Sequence, residues 1–153
     1  MTTAWHNTPE LKAATLRDLR NDHARDQLVK GTYSELGLEG TYRGCQVGCL
    51  VMADMVRNGQ LDTDHTYRAL WHAEVETRFG VPRALAYLWD RCFENVPSDD
   101  APTFAIASVE AVPVGADLTM VVSRVMLDVL ADPDHGVIQW TKEGTAPRAA
   151  VER

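Results

Sequence analysis

Residues 41–59 read TYRGCQVGCLVMADMVRNG: two cysteines four residues apart, each preceded by glycine, then an apolar run that closes on Asn58 and Gly59. An Asn-Gly pair is a usual helix C-terminus, because glycine takes the left-handed conformation there without a Cβ penalty. The pattern predicts a short apolar helix from near Gly44 to Gly59.

Working outward, Thr8 and Pro9 read as an N-cap with proline at the first helical position. They open a first helix to about Lys30 with Gly31 as its stop, and Leu16, Leu19, His23 and Gln27 share one stripe. Glycines at 31, 37 and 40 mark a loop before the Cys45 element. Asp62 or Thr63 caps a third helix with Tyr67, Leu70, Trp71, Val75 and Phe79 at helical spacing, up to Gly80. Pro82 opens a fourth with Leu85, Leu88, Trp89, Cys92 and Val96, which Pro97 closes. Ser98 and Asp99 cap a fifth with Phe104, Ala105, Ser108 and Val112 inward, and Asp117 caps a sixth. In that sixth helix Leu118, Val121, Val122, Val125 and Val129 keep a 3.6-residue stripe despite valine's preference for strands. Val137–Trp140 reads as an extended segment or a loop packed by Trp140, and residues 145–153 as a last helical turn. The expected fold is all-α, a single compact multi-helix domain of about six helices over residues 1–153. Residues 1–7 and 141–153 are its loosely packed ends, and the third, fourth and sixth helices form its core.

The chain has 153 residues, 45% of them hydrophobic and 24% charged, with a net charge of −7. No stretch approaches the roughly 20 apolar residues of a membrane span. No charged-then-apolar leader opens the chain, and three cysteines cannot all pair, so a reducing cytoplasm is expected. Basic residues alternate with acids from Arg17 to Asp26, which argues against a nucleic-acid footprint.

The stretches HARDQLVKGTY (23–33), RGCQVGC (43–49), RFGVPRALAYLWDRCFENVP (78–97) and AVPVGADL (111–118) resemble a family of small, largely uncharacterised helical proteins of phages, plasmids and bacteria. In similar proteins the glycine-cysteine element goes with a preceding histidine and aspartate, here His23 and Asp26. It also goes with a GIP-type helix boundary, here Gly80, Val81 and Pro82. The resemblance implies a mobile-element setting and no particular activity.

On one helix Cys45 and Cys49 have Cβ atoms about 5 to 6 Å apart, beyond the ~3.5 to 4.5 Å of a disulfide. They are expected as free thiols in a packing device, with Gly44 and Gly48 admitting a neighbouring helix or the 32–42 loop. The chemical alternatives are half of a zinc site or a reactive thiol. Cys92 reads as core. His65, His72 and Glu76 lie at i, i+7 and i+11 opposite Trp71 and Val75: a metal set, or the solvated face that an amphipathic helix ordinarily shows, which is the expected reading. His23 with Asp26 is either half of a Cys-His pair or a buried hydrogen bond pinning the glycine loop, and the latter is expected. The loop lacks the lysine and hydroxyl residue of a phosphate loop.

Two functions follow as expectations. The first is a non-enzymatic protein-binding module, a mobile-element modulator or inhibitor of a host or defence complex, presenting Tyr33, Tyr42, Arg43, Gly44 and Gly48. Its partner is another protein, with no membrane, no nucleic acid and no cofactor, and homo-oligomerisation stays open. The alternative is a small thiol- or metal-dependent enzyme centred on Cys45 and Cys49 with His23 and Asp26. The first calls for an exposed apolar patch, the second for a pocket where such groups converge.

Overall fold

The computed structural model describes residues 3–37, 41–60, 71–141, 143 and 148–149. Six α-helices account for most of them: α1 (Pro9–Ala24), α2 (Gln46–Arg57), α3 (Trp71–Phe79), α4 (Arg83–Asn95), α5 (Ala101–Glu110) and α6 (Val121–Ala131). A two-residue antiparallel pair joins β1 (Glu35–Leu36) to β2 (Tyr42–Arg43), with Glu35 opposite Arg43 and Leu36 opposite Tyr42. The fold is all-α, as expected. The chain divides into compact units at residues 1–118 and 119–153.

In the first unit the centre is α2, which packs against α1, α3 and α4, while α5 packs against α1 and α4. Every residue of α2 from Gln46 to Asp54 is buried. A helix apolar all round belongs inside, whereas a single apolar stripe marks a helix with one face to water. That corrects the expected core: α3 and α4 contribute to it, but α6 buries no residue and lies in the second unit.

Several stripes are also rotated. α1 ends at Ala24, well before Lys30, and buries Thr15, Leu19 and Asp22, so His23 is exposed. Beyond it Asp26 takes a left-handed φ of 55°, and the extended backbone is claimed by the Cys45 element. Val29 N–H donates to the Gly44 carbonyl at 2.8 Å, and Gly44 N–H to that of Gln27 at 2.9 Å. These long-range bonds outcompete helix propagation. On α4 the buried set is Leu85, Ala86, Trp89 and Phe93, with Leu88 and Cys92 half-buried. The start expected for α3, at residues 62–63, lies outside the described residues, as does His65.

Ala4–Asn7, expected to be loosely packed, are anchored. Ala4–Asn7 form a 3-10 turn in which Trp5, His6 and Asn7 have left-handed backbones. Such strain persists only where surrounding contacts over-determine it. Here Trp5 is fully buried, its Nε1 donates to the Val112 carbonyl at 3.0 Å, and its ring meets Phe79 edge-on at 6.0 Å. The turn lies against Gly80, whose φ is +65° and where a Cβ would approach the Thr3 carbonyl to 2.1 Å.

One charge network ties three helices together. Asp54 of α2, 5% exposed, accepts from Arg57 and from Arg78 of α3, while Arg57 also reaches Asp18 of α1 and Arg78 reaches Glu74. In the second unit α6 packs on a 3-10 turn, Val137–Trp140. Trp140 does not pack that segment as expected; it is 83% exposed.

Candidate functional site

The residues after α1 lie along the start of α2. Cys45 N–H donates to the Thr32 carbonyl at 2.7 Å, and the Tyr33 carbonyl rests on Gly44 and Gly48. Both glycines are buried beneath that backbone, so their role is close packing and not the docking surface expected of them. Arg43, also expected there, is exposed but paired with Glu35.

This placement makes Cys45 the N-cap residue of α2 and turns its thiol toward α4. There Asp90 and Glu94, four residues apart, share a face. Cys45, Asp90 and Glu94 each offer one ligand atom within 4.8 Å of the others. With Gly31, Thr32 and Tyr33 they line a cavity of about 210 Å³.

Asp90 is the hub. Its Oδ2 accepts from the Tyr33 hydroxyl at 3.1 Å and from His72 Nε2 of α3 at 3.3 Å, and the Cys45 thiol lies within 4.8 Å of its carboxylate. Glu94 accepts from Gly31 N–H at 3.0 and 3.1 Å. His72 is 5% exposed, stacked on Tyr87 at 3.7 Å between centroids and edge-on to Tyr33 at 5.5 Å. It is therefore no part of a solvated face. α3 turns it inward beside Trp71 and Val75, while Glu76 faces another way and accepts from Arg83 N–H at the start of α4.

Burial sets the protonation states. It pushes the Cys45 thiol well above its ordinary range, a rise that the backbone N–H groups of Gly48 and Val47 oppose and the Asp90 charge reinforces. Burial, then the Asp90 charge, lifts Tyr33 to about 12. Burial lowers His72 more than Asp90 raises it, which favours the neutral imidazole. The resting cluster thus presents S–H, O–H and N–H donors around one carboxylate. As the N-cap residue of α2, Cys45 sits at the positive end of the helix dipole, which favours a thiolate.

The other expected site residues lie elsewhere. Cys49 points away, its thiol near the Gly44 carbonyl at 3.4 Å and that of Gln27 at 3.6 Å. His23 and Asp26 are exposed and line no part of the Cys45 cavity. Tyr42 serves a different group: its hydroxyl donates to both carboxylate oxygens of buried Asp22, at 3.0 and 3.1 Å. Burial raises Asp22 to about 6, against the pull of that Tyr42 bond. Asp90, Glu94 and Tyr87 were not singled out from the sequence, although Asp90 and Glu94 at i and i+4 of DRCFE are a visible pair of carboxylates on one helix face. Compared with known proteins, the chain matches no family model, no curated protein and no solved structure, so the site stands on its own geometry.

Proposed function

We propose that this protein is a small enzyme working at the Asp90 cavity, in a reducing cytoplasm where its cysteines remain thiols. The observation that carries this reading is the convergence of a thiol, a phenol and two carboxylates, drawn from three separate segments, on one cavity, with the His72 imidazole bonded to one of those carboxylates. Structural packing of a helical core needs no such set, and titratable groups with shifted protonation in a cleft are a mark of acid-base sites. Asp90 takes a proton from the attacking water, and Tyr33, bonded to the same carboxylate, returns one to the leaving group. A cavity of about 210 Å³ admits a small molecule or the end of a larger one. A panel of ester, amide and phosphoester substrates, run beside an NMR fragment titration, tests this. Turnover that Asp90→Asn removes, with shifts confined to Thr32, Tyr33, Cys45 and Asp90, is expected. Turnover indifferent to Asp90→Asn overturns it.

A second reading, a docking module for a protein of a host or defence complex, is favoured by α6. That helix buries nothing, and Met126, Leu127, Val129 and Leu130 are exposed along it. Soluble monomers rarely leave such a row uncovered. Binding of a host protein lost in Leu127→Lys but kept in Asp90→Asn would favour this reading over the first.

A further inference from the structure

We infer that the Cys45–Asp90–Glu94 cluster is a binding site for one divalent transition-metal ion of the zinc class, an inference that rests on reading this cavity as the working centre. The three ligand atoms already lie within 4.8 Å of one another. Around zinc, bonds of about 2.0 to 2.3 Å in a tetrahedron place neighbouring ligand atoms roughly 3.3 to 3.8 Å apart. Side-chain rotation of little more than an ångström closes that difference, and Cys45 and the helix bearing both carboxylates need not move.

Charge points the same way independently. Among the described residues neither Asp90 nor Glu94 has an arginine or lysine partner, whereas Asp18, Glu35, Asp54, Glu74 and Glu110 all do. Two adjacent carboxylates beside a 1%-exposed cysteine, with no side-chain cation, form a local negative centre that a bound cation would complete.

The donor set selects the ion. Carboxylates alone would suit magnesium or calcium, but a thiol at the same point favours borderline ions such as Zn²⁺ or Co²⁺. On binding, the Cys45 S–H bond breaks, a sulfur–metal bond forms and the proton leaves to the buffer. Tyr33 and His72 bond Asp90 and fix its orientation, as outer-shell groups do in metal sites. With three protein ligands the fourth position opens on the cavity, the arrangement of a catalytic and not a structural centre.

Co²⁺ is the probe. It is added to the full chain, reduced and stripped with chelator, and followed by absorption, with Zn²⁺ calorimetry alongside. One ion per chain is expected, with a thiolate-to-cobalt charge-transfer band that vanishes in Cys45→Ser and persists in Cys49→Ser. Asp90→Asn and Glu94→Gln should each weaken Zn²⁺ binding at least about tenfold, and His72→Gln by about 10- to 100-fold. Helical circular dichroism confirms that each variant is folded. If Cys45→Ser does not fold, protection of Cys45 from alkylation by Zn²⁺ in the wild-type chain, lost in Glu94→Gln, serves in its place. Absence of the band, its survival in Cys45→Ser, or affinity unchanged in both carboxylate variants overturns the site. Stoichiometric metal without any turnover would support the site and remove the catalytic reading; turnover by a chain that binds no metal would keep that reading and overturn the site.

Discussion

The carbonyl oxygen of Tyr33 occupies the space a side chain on Gly48 would need: a Cβ there would lie 1.4 Å from it, and one on Gly44 2.0 Å. The obstacle is backbone, held by the Cys45–Thr32 hydrogen bond, so it cannot swing aside as a side chain would. Gly48→Ala should cost at least about 1 to 3 kcal/mol, and Gly48→Val more. Gly59→Ala, where nothing lies within 4 Å and only a φ of +65° resists, should cost about 1 kcal/mol. Urea titration of both variants separates the two cases, and equal losses would contradict the close contact.

His72→Ala removes the stacking on Tyr87 and leaves Asp90 without its imidazole donor. A loss of about 1 to 3 kcal/mol is expected, as for other buried hydrogen-bonding groups. A thermal melt within a degree of wild type would place His72 in water after all.

Trp5→Ala should be among the most damaging single changes, at about 3 to 5 kcal/mol, because it empties a fully buried aromatic site that closes a strained turn. Trp140→Ala, at an 83%-exposed position, should stay within about 0.5 kcal/mol. Chemical denaturation of the pair checks this, and similar midpoints would refute the assignment of both tryptophans.

Stability should fall as pH rises from about 4 to 6. Asp22 titrates near 6 in the folded chain against an ordinary 3.8, so the folded state holds the extra proton in that window. The groups facing it are the Tyr42 hydroxyl, Asp18, Arg25 and the Cys49 thiol. Asp22→Asn keeps an acceptor for Tyr42 and removes the charge, so it should stabilise the protein at pH 7 by on the order of 1 kcal/mol, allowing for water near the carboxylate. Near pH 4 the gain should shrink toward nothing. Melting temperatures across that range decide the matter, and a constant gain would rule out Asp22 as the titrating group.

The helices were largely legible in advance because their signals are local. Thr8–Pro9, Asn58–Gly59, Gly80 with Pro82, and Pro97 sit at or within two residues of observed helix ends. The failure at Lys30 is equally physical: nothing within residues 25–30 announces that Gly44 will claim the backbone of Gln27 and Val29. α6 misled for the opposite reason, since its period is truly helical but a stripe does not say whether anything covers it.

The order of the amino acids was enough to read a helical protein, the ends of several helices, and the close approach marked by Gly44 and Gly48. Caps, proline, glycine and the 3.6-residue period act over a few neighbouring residues, so they can be read without the rest of the chain. Only the tertiary structure decided which face of each helix is inside, that Asp22 and not His23 is buried on α1, and that Cys45 meets Asp90 and Glu94 while Cys49 does not. Those partners lie 45 and more positions apart, and a rotation of one residue, about 100° on a helix, exchanges a buried side chain for an exposed one. Such contacts are set by how α2, α3 and α4 pack together, a property of the assembled core that no single segment carries.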